Sequence, residues 1–465
     1  MHLRTARLVV LASFVAKIAL LAARYPGRPQ SFSYIDSRSY TGPALALLSK
    51  GTFSPSPEKA PEPEINRTPG YPALVAALYR AFGERPWVLS AAGAVLSAGT
   101  ALVLISLARR LFDERAALFS AVLLSLDFGS FWRSLDVLSD TPFTFLAVAG
   151  ALLAAVSVER SGAPAARTAF LAGLALASAT RVRPISLYLL PLIVLLLALG
   201  RPRRAALVRA GAFLAPCLVL VGGWAARNLA RAGEFTVTPL PSSQALFFFA
   251  SGVQAEVDGI TIPEEQERLG NWERHYRSGG ASEAEVFGNK RYEDLFPDTA
   301  RLPYVELCRR WREKALDIVR AHPLLTAKKL AIYVGVLLLT PPTLIFGFQY
   351  GLYWPEPSLS RLFDDLDFVA LFARLASTHP VVFAVSIACV AELAALLLLA
   401  LKGLAAARPW DARHALVAAT LAYMVLASAG TQACDDRFRL PITPFLALYA
   451  GFALSGLLPR REAAR

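Results

Sequence analysis

Tyr34-Ile-Asp36-Ser-Arg38-Ser-Tyr40 and, further along, Asn66-Arg67-Thr68-Pro69-Gly70-Tyr71-Pro72 bound the stretch on which the reading of this chain turns. Between them lie an apolar, helix-like run from Ala44 to Leu48, Gly51 and a proline-rich tract. An acid, several aromatics and an arginine therefore occupy a loop between two strongly apolar segments. Loops held by a rigid scaffold are where binding and chemistry concentrate.

The surrounding chain has 465 residues, 55% of them hydrophobic and only 18% charged, with a mean hydropathy of +0.45. That is too apolar for a soluble domain of this size and reads as an all-α polytopic membrane protein. The formal charge of +13 does not point to nucleic acid, because the arginines stand in short groups at the ends of apolar runs. Cys217, Cys308, Cys389 and Cys434, and the five histidines, are dispersed without metal-ligand or CxxC spacing, so no metal or disulfide is expected.

Runs long enough to cross a bilayer fall near 7–23, 86–108, 116–132, 138–157, 166–180, 184–200, 207–225, 324–345, 380–401, 413–430 and 440–458. This predicts 11–12 transmembrane helices. Arg4 and Arg7, Arg109 to Arg115, Arg160 and Arg167, and Arg201 to Arg209 fall on one side, which the positive-inside rule assigns to the cytoplasm. The loop at 24–85 is then extracytoplasmic, as is the polar segment 228–322, whose periodicity around Leu302 to Val319 predicts a mostly helical cap. Three units follow: a transmembrane catalytic module over 1–227, the extracytoplasmic segment 228–322, and a second transmembrane module over 323–465. A charged amphipathic run around Arg361 to Phe368 suits the interface rather than a crossing. With eleven spans the basic groups at Lys402 to Arg413 and Arg460 to Arg465 would face outward, so either a twelfth crossing lies near Pro341-Pro342 or the rule fails in this half.

Chemistry-bearing residues gather at the outer ends of these spans. Asp36, beside Tyr34 and Tyr40, is a candidate general base, or else the N-cap of the helix that follows it. Arg67 sits in a turn stiffened by Pro69, Gly70 and Pro72, where a guanidinium can make two hydrogen bonds to a phosphate or anchor at the interface. Asp140 precedes Pro142 at the start of a helix and is a candidate for a functional or a capping role. Arg183, Arg227 with Asn228, and Arg437 repeat the pattern on the face where positive charge is disfavoured. A lipid phosphate with its head group outward and its tail between helices accounts for this convergence.

These residues, in this order, resemble the GT-C superfamily of membrane glycosyltransferases, in the branch of protein O-mannosyltransferases and lipid A aminoarabinose transferases. The resemblance rests on Asp36, Arg67-Thr68-Pro69-Gly70-Tyr71-Pro72, Leu138-Ser139-Asp140, Arg183-Pro184, Trp224 with Arg227-Asn228, and Arg437-Phe438-Arg439-Leu440-Pro441. It covers the N-terminal module well and the last segment moderately. It implies a polyprenyl-phosphate sugar donor, Asp36 as base, and Arg67 on the donor phosphate. Arg183, Arg227 and Arg437 are expected to join Arg67, and Tyr34, Tyr40, Tyr71, Asp140 and Asn228 to line the substrate site. Members of the branch often carry an Asp-Glu pair, whereas Ser37 follows Asp36 here. The expected reaction is an inverting transfer to a lipid, glycan or protein acceptor without a resident cofactor. The expected location is the bacterial inner membrane, with the site on the extracytoplasmic face. The competing classes are a transporter or flippase of a lipid-linked sugar, for which no internal repeat is evident, and a surface-glycan polymerase or ligase.

Overall fold

A computed structural model describes residues 2–27, 32–33, 36–58, 63–270, 302–342, 367–430 and 436–457, and every regular element within them is helical. The first module contains α1 (His2–Arg24), α2 (Ser37–Lys50), α3 (Gly70–Phe82), α4 (Pro86–Leu111), α5 (Glu114–Leu126), α6 (Phe128–Arg133), α7 (Asp140–Glu159), α8 (Gly162–Val182) and α9 (Leu189–Ala198). It continues with α10 (Arg203–Cys217), which runs through a π-helical turn at Leu218–Gly222 into α11 (Gly223–Ala232). Beyond it come α12 (Pro241–Gln244), α13 (Ser251–Asp258), α14 (Ile262–Arg268), α15 (Tyr304–Ala321) and α16 (Pro323–Leu339). The last described elements are α17 (Phe368–Thr378), α18 (Pro380–Ala406), α19 (Ala412–Ala429), a 3-10 turn at Asp436–Arg439, and α20 (Thr443–Leu457).

Each of the eleven expected spans falls on a helical segment, but among the described residues only six helices are long and apolar enough to cross a bilayer alone. The number rises to eight if two pairs, each bent by 105°, count as broken spans. The stretch expected to cross at 116–132 shows why hydropathy overcounts. α5 has 13 residues and stops at Asp127, whose carboxylate accepts from the Ser130 N–H at 2.6 Å and starts α6. At about 1.5 Å per residue α5 spans roughly 20 Å, short of a bilayer core of about 30 Å. The chain turns back there, so Leu135, Asp136, Ser139 and Asp140 are buried rather than laid on the surface.

Small residues let the helices of the first module close on one another, as expected where lipid provides no hydrophobic drive for association. At Gly173 of α8 an added Cβ would stand 2.1 Å from the Phe213 carbonyl oxygen of α10, so only glycine permits this approach.

The conflict over charge in the second half disappears in three dimensions. Arg413, at the start of α19, donates to the Arg110 carbonyl and to Glu159 at 3.1 Å, and Arg110 also donates to Glu159 at 2.8 Å. The α18–α19 connection thus lies at the same end as the basic residues closing α4 and α7. α19 then returns to the opposite end, and α20 comes back until Phe452 stacks on Phe112 at 4.0 Å. The basic α18–α19 connection therefore shares one end of the bundle with the basic ends of the first half. The described stretch that ends α16 stops at Pro342, so the chain that would continue a crossing from Pro341-Pro342, the amphipathic run at 361–366 and the Arg460–Arg465 tail lie outside the described residues.

Between the modules, α12 to α15 carry their own apolar cluster, in which Phe247 meets Trp311 edge-on at 5.1 Å. Residues 271–301 of this segment are outside the described residues.

Candidate active site

Asp36 stands at the N-terminus of α2, yet its side chain makes no capping hydrogen bond. Its oxygens turn instead to two guanidiniums. Oδ1 accepts from Arg67 Nη2 at 3.2 Å, and Oδ2 accepts from Arg437 Nη1 at 2.7 Å. The capping alternative therefore fails on geometry, and the carboxylate is buried with both cations beside it.

Arg67 is held from every side by its own loop. Glu64 Oε1 accepts the backbone N–H groups of Asn66 at 2.6 Å and Arg67 at 2.9 Å, while the Thr68 hydroxyl donates to the Val182 carbonyl at 3.2 Å. Burial raises the Glu64 carboxyl above its ordinary pKa in spite of these donors. Gly70 completes the clamp, since a Cβ there would lie 2.7 Å from the Arg181 carbonyl oxygen and 2.8 Å from Val182 N. Fixed in this way, the guanidinium stacks over the Tyr40 ring at 4.5 Å and donates to the Tyr40 hydroxyl at 3.1 Å. The same hydroxyl accepts from Ser139 Oγ at 3.0 Å. Burial opposes ionisation of the Tyr40 phenol, but the Arg67 and Arg183 cations outweigh it and lower its pKa.

Arg183 forms a close ion pair with Asp140, so this acid also faces a cation rather than capping α7. Arg183 and Arg437 each lie 4.9 Å from the Phe438 ring. Behind Arg437 is a buried triad that sequence reasoning missed. Arg133 donates to Asp136 at 3.0 Å and through two nitrogens to Asp436, which fixes the 3-10 turn carrying Arg437. Arg439 anchors the same turn by donating to the carbonyls of Leu337 at 3.0 Å and Thr340 at 2.8 Å. The available signal was Arg133 itself, a cation on the side where positive charge is disfavoured.

A cavity of about 320 Å³ opens against this cluster. Its polar lining includes Tyr40, Asn66, Arg67, Arg183 and Gln244. Its remaining wall is largely apolar, with Val182, Pro184, Ile185, Leu240, Tyr423 and Phe438. Asp36 does not line the cavity but sits directly behind Arg67.

The other expected site residues divide differently. Tyr71 packs edge-on against Tyr40 at 5.2 Å and supports it from outside the cavity. Asn228 is fully buried, with its amide donating to the carbonyls of Thr236 and Val237. Arg227 donates to the Glu64 carbonyl at 2.8 Å and to Asn228 Oδ1 at 2.9 Å, and lies over Trp224 at 4.7 Å. Neither Arg227 nor Asn228 lines the cavity. They brace the turn that presents Arg67. Tyr34 lies outside the described residues. Among the described residues no three His, Cys, Asp or Glu side chains form a group that could hold a metal ion.

Residues 66–224 match the model of the dolichyl-phosphate-mannose-protein mannosyltransferase family. No curated protein matches the chain. The fold is similar to that of the oligosaccharyltransferase of Archaeoglobus fulgidus in its apo form, with a TM-score of 0.52 and 13% identity over 98% of this chain and 50% of that one. It is also similar to the oligosaccharyltransferase AglB of the same archaeon in complex with an inhibitory peptide and a dolichol-phosphate, with a TM-score of 0.50, 14% identity and the same coverage. The chain thus spans about half the length of the solved proteins it matches. Residues 66–224 are thus similar to the dolichyl-phosphate-mannose-protein mannosyltransferase family, and the helical fold as a whole is similar to that of the archaeal oligosaccharyltransferase.

Proposed function

We propose that this protein transfers a sugar from a polyprenyl-phosphate donor to an acceptor hydroxyl on the extracytoplasmic side of the membrane, with inversion at the anomeric carbon. The observation that carries this reading is the Arg67 guanidinium on a cavity whose remaining wall is largely apolar, with the Asp36 carboxylate directly behind it, clamped between Arg67 and Arg437. Arg67 and Arg183, both at the cavity surface, receive the donor phosphate, and the apolar wall takes the first isoprene units. That a fold relative was solved with a dolichol-phosphate, and that the family model is named for a dolichyl-phosphate sugar, supports this choice of donor.

Both oxygens of Asp36 are engaged by cations, so the carboxylate takes a proton only when one is released. A phosphate arriving at the cavity offers Arg67 a competing anion and frees Oδ1. Asp36 then accepts the acceptor's hydroxyl proton while the acceptor oxygen bonds to the anomeric carbon. The bond from that carbon to the phosphate oxygen breaks on the opposite face, and its electron pair leaves with the phosphate, whose growing charge the guanidiniums stabilise. Tyr71, Asp140, Arg227 and Asn228 act in this scheme by positioning Tyr40, Arg183 and the Arg67 turn.

The test is transfer of radiolabelled sugar from dolichyl-phosphate-mannose and dolichyl-phosphate-glucose in membranes carrying or lacking the protein, with mass spectrometry of the labelled glycans and glycolipids. Protein-dependent labelling that disappears with Asp36→Asn is the expected result. Protein-dependent binding of either donor with no transfer to any endogenous acceptor would favour a carrier and overturn the proposal.

A further inference from the structure

The lining of the cavity holds two side-chain amides that the mechanism leaves unused. Asn66 immediately precedes Arg67, and its Oδ1 is buried without a hydrogen-bond partner among the described residues. Gln244, the last residue of α12, lines the same cavity, and its side-chain amide also makes no hydrogen bond to a described residue. Of the other polar groups of the lining, Arg67 is engaged with Tyr40 and Asp36, Arg183 with Asp140, Thr68 with Val182, and Tyr423 with the Ile185 carbonyl, while Tyr188 is 74% exposed. The backbone segments that carry the two amides are tied together. Thr238 Oγ1 donates to the Asn66 carbonyl at 2.8 Å, tying the Arg67 turn to the segment that leads into α12.

A buried acceptor left unpaired costs about 1–3 kcal/mol, so a site that keeps one is organised for a ligand that satisfies it. An uncharged amide presents a donor and an acceptor side by side, which suits hydroxyl groups. Because Asn66 adjoins Arg67, whatever it touches lies next to a phosphate held by that arginine.

We infer that Asn66 and Gln244 form the subsite that reads the sugar of the donor, and that the sugar they take is a neutral, hydroxyl-bearing ring. This rests on the donor reading given above. A ring joined to the phosphate through its anomeric oxygen enters the space beside Arg67, its hydroxyls pairing with the side-chain amides of Asn66 and Gln244. A cationic amino sugar would meet Arg67 and Arg183 across the same space and is disfavoured.

The test measures binding to the detergent-purified protein of three probes: bare dolichyl phosphate, dolichyl-phosphate-mannose and dolichyl-phosphate-glucose. The wild-type protein is expected to bind at least one sugar-bearing lipid more tightly than the bare lipid. Asn66→Ala and Gln244→Ala should each weaken that lipid about tenfold, the value of one hydrogen bond, while leaving bare dolichyl phosphate within about twofold. Retention of the bare lipid by both alanine variants shows that the cavity is intact. Equal weakening of bare and sugar-bearing lipids would make the amides part of the scaffold and overturn the inference. A wild-type protein that binds the bare lipid but gains nothing from either sugar overturns the sugar subsite and leaves the phosphate reading standing. Failure to bind any of the three lipids overturns both.

Discussion

Replacing Asp36 by asparagine separates the two things this carboxylate does. Its side chain is 7% exposed, and its partners Arg67 and Arg437 are 15% and 6% exposed, so the charge cluster is shielded from water. Asparagine keeps one acceptor oxygen but directs an N–H₂ group at whichever guanidinium faced the other. Removing one partner of a buried ion pair costs about 3–5 kcal/mol, because the opposite charge is left uncompensated. Asp36→Asn should therefore lower stability by about that amount, most of it from Arg437, the shorter and more buried contact. Independently, loss of a general base should slow transfer by about 10²–10⁴-fold in protein that is still folded. Thermal unfolding in detergent reads the first effect, and transfer assayed well below the unfolding midpoint reads the second. The double variant Asp36→Asn with Arg437→Gln removes the orphaned cation, so it should recover part of the stability and none of the transfer. Wild-type transfer by Asp36→Asn would refute the base role. Transfer restored in the double variant would reduce Asp36 to a charge clamp, and an unchanged unfolding midpoint would refute the electrostatic reasoning.

Arg67→Lys keeps the charge but not the fork that reaches Tyr40 and Asp36 together, so it should retain only part of the transfer activity, with weaker binding of dolichyl-phosphate-mannose. Unchanged binding and turnover in Arg67→Ala would leave the residue as an interfacial anchor. Gly70→Ala should destabilise by about 1–3 kcal/mol and weaken donor binding, since the added carbon drives α3 away from the C-terminal end of α8; thermal unfolding and lipid binding report the two effects. Glu64 has a folded-state pKa above its ordinary 4.5, so its contribution to stability is fully present below that value and is lost as pH rises through the raised one. Glu64→Gln cannot ionise yet still accepts from Asn66 and Arg67, so it should gain stability relative to wild type as pH rises, read as unfolding midpoints between about pH 4 and about pH 8. In a background without native cysteines, a cysteine at Glu58 should react with a membrane-impermeant thiol reagent on intact cells, whereas one at Trp410 should react only after permeabilisation; the reverse pattern would invert the site.

Hydropathy by itself located a helix at every expected span, because a segment in lipid must be apolar and must satisfy its backbone internally. The same logic made Asp36, Arg67, Arg183 and Arg437 legible as site candidates, since charges on the disfavoured side of a membrane stand out against an apolar background. Hydropathy does not register where a helix stops. α5 ends short of a full crossing at Asp127, and α15 turns by 105° into α16, so an apolar run is not always a crossing and counting runs left the second half undecided. Only the tertiary structure put Arg437 beside Asp36, 401 positions earlier in the chain, and Arg133 on Asp436, 303 positions away. It also separated residues that look alike in sequence. Arg183 and Arg227 both end outer segments, yet Arg183 reaches the cavity while Arg227 braces the turn beneath Arg67. That distinction depends on the direction in which a helix end points its side chain, and the direction is set by packing between helices remote in sequence. Residue type and spacing confine a cation to one end of a segment, but neighbouring helices decide whether it meets a ligand or a carbonyl.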